Sequence, residues 1–197
     1  MKLKEYIFKR ENPVIFDKKK KFVYFPSNKV MQTTLVKNLL SDRCIVFKDN
    51  KQRWLKTFNN TNFDEIYKFG ITRHPVTKFE SAFNYLKSRN KHSKKMGITN
   101  IKINDYVKNV IMNYNNPFKL NPHFEKQYES FYFNNELIVD ELFKIESKEE
   151  ISKMYKKLGI NYDTNICFNK TTHLEKLDNE SIKIIEEIYS NDLSFYK

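Results

Sequence analysis

Phe22-Val-Tyr-Phe25-Pro26-Ser27-Asn28-Lys29-Val-Met-Gln-Thr33-Thr34-Leu35 is the stretch on which the fold turns. A short apolar run of β-formers reads as a strand, and Pro26-Ser-Asn ends it. From Val30 to Leu40, Met31, Leu35, Leu39 and Leu40 share one face at helical spacing. Lys29 sits in the turn, and Thr33 and Thr34 follow at the helix start. A helix N-terminus offers unpaired N–H groups and a positive dipole end, which suits phosphate. Lys29 adds a point charge there, and the two hydroxyls can donate to phosphate oxygens. The pattern is not Gly-x4-Gly-Lys-Ser/Thr, so a Walker-type nucleoside-triphosphate enzyme is disfavoured.

Working outward, Ile66-Tyr-Lys-Phe-Gly-Ile-Thr72 reads as another strand, stopped by Arg73-His-Pro75. A helix from about Val76 to Arg89 follows, with Phe79, Phe83 and Leu86 on one face. This puts Arg73 at a strand end, where open α/β sheets bind ligands, and Ser81 two turns into the next helix. A planar guanidinium suits a phosphate monoester, and Ser81 can supply a hydroxyl beside it.

Further strands are expected at Cys44-Ile-Val-Phe47 and in a late segment, Leu137-Ile-Val with Leu142-Phe-Lys-Ile145, with a bulge or turn at Asp140-Glu141. Residues 48–64 read as surface, Ile103–Tyr114 as a helix and Asn115–Gln127 as a Pro-containing loop. Ser147-Lys-Glu-Glu150 is a capping box opening a helix that Gly159 closes, and residues 179–190 form a last amphipathic helix. The alternation predicts a single α/β domain over residues 1–197: a P-loop-like open parallel sheet with helices on both faces. The charged residues 1–20, running into Asp17-Lys-Lys-Lys-Lys21, read as a peripheral segment.

Composition narrows the partners. The 197 residues carry 36 basic and 24 acidic side chains, a net charge of +12, which favours anionic partners: nucleotides, nucleic acid, acidic glycans or a membrane surface. With 40% apolar and 15% aromatic residues the chain can fill a core. Only 3 glycines are present, so any phosphate loop must work largely without glycine. Cys44 and Cys167 lie in apolar runs and read as reduced core thiols of a cytoplasmic protein, with their pairing left open. The first ten residues lack the long apolar stretch of a signal peptide, and no run approaches a membrane span. No His or Cys spacing points to a metal.

The two constellations together resemble the family 2 type of sulfotransferase, which includes Golgi carbohydrate sulfotransferases and bacterial relatives. Their 5′-phosphosulfate loop reads Pro-Lys-x-Gly/Ala-x-Thr-Ser/Asn-Leu/Trp; the chain keeps Lys29, Thr33, Thr34 and Leu35 but has Asn28, Met31 and Gln32. Their 3′-phosphate motif, Arg-Asp/His-Pro-x-x-Arg-x-x-Ser-Ala, is matched by Arg73-His-Pro-Val-Thr-Lys78-Phe-Glu-Ser81-Ala82, with Lys78 for the second Arg. Weaker similarity continues through Asn121-Pro122-His123-Phe124, Glu136 to Glu146, Phe168-Asn-Lys170-Thr-Thr and the ending Ile188-Tyr189-Ser-Asn-Asp192-Leu-Ser-Phe195.

The resemblance implies a metal-free enzyme that moves a sulfuryl group from 3′-phosphoadenosine 5′-phosphosulfate to an acceptor hydroxyl, on a glycan or another acceptor. It implies that Arg73 and Ser81 hold the 3′-phosphate, that Lys29, Thr33 and Thr34 hold the phosphosulfate, and that Lys170 closes over the nucleotide. A cation at the leaving phosphate stabilises the charge that builds there, which makes Lys29 catalytic as well.

The attacking hydroxyl needs a base, and a neutral imidazole suits. Of four histidines, His74 lies inside the Arg-x-Pro motif and reads as structural, His92 as part of a solvated basic loop, and His173 as a surface residue in preference to one near the nucleotide. His123 is the expected base. Two rivals stand beside this reading: a nucleotide-dependent P-loop kinase or transferase, which lacks its glycines and magnesium carboxylate, and a basic nucleic-acid-binding protein using the Lys-rich stretches 18–21 and 91–95. No nucleic acid is expected as a partner, because no recognised motif for it appears.

Overall fold

The protein is described by a computed structural model over residues 14–17, 19, 22–27, 30, 35, 44–47, 62, 65–112, 121–160 and 174–196. In chain order the strands β1 Val14–Asp17, β2 Phe22–Phe25, β3 Cys44–Phe47 and β4 Tyr67–Thr72 come first. Helices α1 Pro75–Lys87, α2 Asn90–Lys95 and α3 Ile103–Tyr106 follow, the last continued by a π-turn over Val107–Ile111. A 3₁₀ turn Pro122–Phe124 leads to α4 Tyr128–Phe131, β5 Tyr132–Phe133, β6 Glu136–Leu137 and β7 Glu141–Lys144. Then come α5 Lys148–Leu158, α6 Asn179–Ile188, α7 Ser190–Leu193 and a closing 3₁₀ turn Ser194–Tyr196. The chain divides into two compact units, one of Met1–Thr72 with Glu129–Phe168, the other of Arg73–Tyr128 with Asn169–Lys197.

The first unit is mixed α/β, built on a five-stranded sheet in the order β3-β1-β2-β4-β7. The pairs β2–β4 and β4–β7 are parallel, which long connections between the paired strands permit. The all-parallel expectation needs correcting at β1, which runs antiparallel to both β2 and β3. Val14-Ile-Phe-Asp17 lies within the stretch read as a charged peripheral segment, yet Val14, Ile15 and Phe16 are at most 1% exposed. Only a few residues separate β1 from β2, which permits an antiparallel return and no crossover.

Phe69 on β4 is the hub of this unit's core. Its ring stacks on Tyr24 at 5.0 Å and Tyr67 at 5.8 Å, and meets Phe22 and Phe143 edge-on at 5.7 and 6.1 Å. Helix α5 packs Ile151, Met154, Tyr155 and Leu158 into the same cluster at i, i+3, i+4, i+7 spacing. Ser147 caps it as the sequence predicts, accepting from the Glu150 N–H at 3.2 Å, and Gly159 ends it at φ +64. The box is not closed reciprocally: Glu150 accepts instead from the backbone N–H of Lys144, at 2.6 Å, and so ties α5 to β7. Lys153 and Lys157 add 2.8 and 2.7 Å ion pairs to Glu141.

The segment read as one late strand is two. Residues Glu136–Leu137 pair with Tyr132–Phe133 in a separate hairpin whose tip, Asn134-Asn135, has φ +51 and +62. These are the positive values that a tight two-residue turn demands and asparagine tolerates. Asp140 then donates its N–H to the Lys68 carbonyl at 2.8 Å, and β7 starts beside β4.

The second unit is helical. Phe79, Ala82, Phe83 and Leu86 of α1 are buried with Ile103, Tyr106, Val107, Ile111, Phe124, Leu177, Ile185 and Tyr189. His92, expected in a loop, lies on the short helix α2, exposed as expected. Among the described residues no helix is long and apolar enough to cross a membrane.

Candidate active site

Arg73 leaves the end of β4, and Pro75, whose fixed φ suits a first helical position, starts α1 two residues later. The Arg73 side chain turns along the helix: its Nε donates to Thr77 Oγ1 at 3.3 Å, and that hydroxyl donates to the His74 carbonyl at 3.0 Å. Thr77, Ser81 and Tyr85 follow at i, i+4, i+8 and lie within ~80° of one another around the helix. All three are half-buried, and Tyr85 packs against the edge of the core that Phe79, Phe83 and Leu86 fill. The Arg73 side chain thus starts the stripe on which Ser81 lies one turn beyond Thr77.

The same stripe reaches His123. Its imidazole stacks on the Tyr85 ring, centroids 5.3 Å apart and planes 26° from parallel, and the Arg89 guanidinium lies 5.4 Å from the Tyr85 centroid. Of the expected Pro-containing loop, residues 121–127 are described and include the 3₁₀ turn Pro122–Phe124. Asn121 caps a single 3₁₀ turn by accepting the His123 N–H on its side-chain oxygen at 3.0 Å. The same oxygen lies 2.7 Å from His123 Nδ1. A backbone N–H can only donate, so the Asn121 atom facing it is the carbonyl oxygen. Nδ1 must then carry a hydrogen to meet that oxygen. In a neutral imidazole this leaves the lone pair on Nε2.

Gln127 joins this loop to Arg73. Its Oε1 accepts the Arg73 N–H at 2.7 Å and its Nε2 donates to the Arg73 carbonyl at 2.6 Å, so both backbone groups of Arg73 are held by one side chain. Asp192 in turn accepts the N–H groups of Gln127 and Tyr128 at 2.9 and 2.8 Å. Gln127 and Asp192 are both 0% exposed. Burial pushes the Asp192 carboxyl above its ordinary value, against the opposing charge of Lys78 and the three hydrogen bonds from Gln127 and Tyr128.

Of the remaining residues named from the sequence, Lys29, Thr33, Thr34, Lys170 and His173 lie outside the described residues, as does most of the Lys-rich stretch 18–21. His74 packs edge-on against Tyr196 at 5.3 Å. Among the described residues no group of His, Cys, Asp and Glu could hold a metal ion. Sequence reasoning missed Gln127 altogether. Tyr189 and Asp192 were visible only as part of the terminal motif, with no role attached. No family model, curated protein or solved structure matches the chain.

Proposed function

We propose that the protein is a sulfotransferase that takes its sulfuryl group from 3′-phosphoadenosine 5′-phosphosulfate and passes it to an acceptor hydroxyl, on a glycan or a comparable molecule. The observation that carries this reading is the single stripe of α1 that brings Arg73, Ser81 and the His123 imidazole to one side of a helix. In this reading Arg73 and Ser81 take the 3′-phosphate, the guanidinium through charge-assisted bonds and the serine through its hydroxyl. Lys29, Thr33 and Thr34 take the 5′-phosphosulfate, and Lys170 covers the nucleotide, each by resemblance to the family motifs. The proposed fold detail, a P-loop-like strand–turn–helix at Phe22–Leu35, rests on the same resemblance.

The chemistry is an in-line displacement. The acceptor oxygen forms a bond to sulfur as the bond from sulfur to the bridging phosphate oxygen breaks, and adenosine 3′,5′-bisphosphate leaves. The acceptor proton goes to Nε2 of His123, the nitrogen that the Asn121 contact leaves with its lone pair. Lys29 offsets the negative charge appearing on the leaving oxygen.

Incubation with sulfur-labelled donor and a panel of hydroxyl acceptors tests this directly. Label should pass to at least one acceptor class, and His123→Ala should lower kcat by ~10²–10⁴-fold while donor binding holds. A mutant that keeps the wild-type rate would remove His123 from the mechanism.

A further inference from the structure

Lys78 occupies the second basic position of the 3′-phosphate motif, which on the motif alone would send its ammonium to the phosphate. It does not go there. Lys78 is 1% exposed, and its Nζ donates to the Glu125 carbonyl and, at 3.5 Å, to the His123 carbonyl. The carbonyl between these two, that of Phe124, accepts from the Tyr189 hydroxyl at 2.5 Å. Three consecutive carbonyls of the His123 loop are thus taken up by two buried side chains, one from α1 and one from the end of α6. Lys78 Nζ also lies 5.8 Å from the centroid of the Tyr189 ring, so the two clamping groups brace each other.

A solvent-exposed loop needs no such partners, because water satisfies its carbonyls at no cost. Burying a lysine to do so is expensive unless its donors are used. The arrangement draws the loop backbone towards α1, on which Tyr85 presents its ring to His123.

We infer that Lys78 and Tyr189 are positioning residues that seat the His123 imidazole against the Arg73–Ser81 side of α1, in place of a second phosphate-binding cation. The inference builds on the sulfotransferase reading for its purpose, but its geometry can be tested without donor or acceptor.

Proton NMR of the full chain supplies the readout, through cross-peaks between the His123 and Tyr85 rings and the Tyr85 ring-current shift of the His123 protons. Both should be present in the wild type and lost in Lys78→Met, which keeps the length of the side chain and removes its donors. Tyr189→Phe removes only the hydroxyl at the Phe124 carbonyl and should weaken the same cross-peaks while the fold stands, so it decides the matter if Lys78→Met does not fold. Folded variants with wild-type cross-peaks and shifts would overturn the clamp. If the signals are lost as expected in a protein that transfers no sulfuryl group, the positioning stands and the enzymatic reading falls. Where transfer is measurable, kcat should drop in both variants while the donor KM holds, and a raised donor KM with unchanged kcat would return Lys78 to the phosphate.

Discussion

At the residue scale, the clamp has a thermodynamic signature. Burial lowers the Lys78 ammonium from its ordinary 10.5 to about 8, against the attraction of Asp192 and Glu125 and with a smaller push from Arg73. The unfolded chain therefore binds this proton between pH 8 and 10.5 while the folded chain has released it. Wherever the unfolded state binds more protons, stability rises with pH. Over this window Lys78 should add on the order of 3 kcal/mol, at ~1.4 kcal/mol per tenfold change in proton affinity. Denaturant titrations of the wild type and Lys78→Met at about pH 7.5 and about pH 10 read the difference. The gap between the two proteins should move in favour of the wild type as pH rises, and a gap independent of pH would mean that Lys78 is not buried as described. Nothing in the sequence marks this lysine as buried. Lysine is among the residues least often found inside, and the carbonyls that satisfy it lie 45 and 47 positions away.

At the element scale, the local signals were legible and the long-range pairings were not. β2, β3 and β4, helix α1 and the Ser147–Gly159 limits of α5 follow from apolar period, proline and capping chemistry within a few residues. β1 was hidden because four apolar-rich residues sit beside a run of lysines. Its place is set by pairing with β2 and β3, not by its own composition. The late strand was divided for a similar reason, since Lys68 on β4 takes the Asp140 N–H. Gly70 shows how closely the first unit packs around β4. A Cβ there would run into the Phe131 ring and come within 2.9 Å of Leu142 Cδ2. Phe131 is fully buried, so its ring has little room to yield. Gly70→Ala should cost ~1–3 kcal/mol by overpacking, read as a lowered thermal midpoint. An unchanged midpoint would show that the β4 surface is looser than these contacts imply.

At the scale of the whole molecule, the net charge of +12 favours anionic partners, and the proposal that one of them is a nucleotide is tested most sharply at Arg73. Its backbone is held by Gln127, itself anchored to Asp192, while its Nε donates to Thr77 on the first turn of α1. Fixing a cationic fork in this way reduces the ordering cost when an anion binds. The residues proposed for the site, Arg73, Ser81 and His123, come from a spacing that resembles a family motif. The residues that hold them, Gln127 and Lys78, act through backbone atoms, which leave no motif. Calorimetric titration with adenosine 3′,5′-bisphosphate and with 5′-AMP tests the central claim most directly, because the two differ only in the 3′-phosphate assigned to Arg73 and Ser81. The account predicts far tighter binding of the bisphosphate, with Arg73→Ala removing most of the difference, since charge-assisted hydrogen bonds contribute roughly 1.5–3 kcal/mol each. Equal affinity of the wild-type protein for the two nucleotides would contradict it.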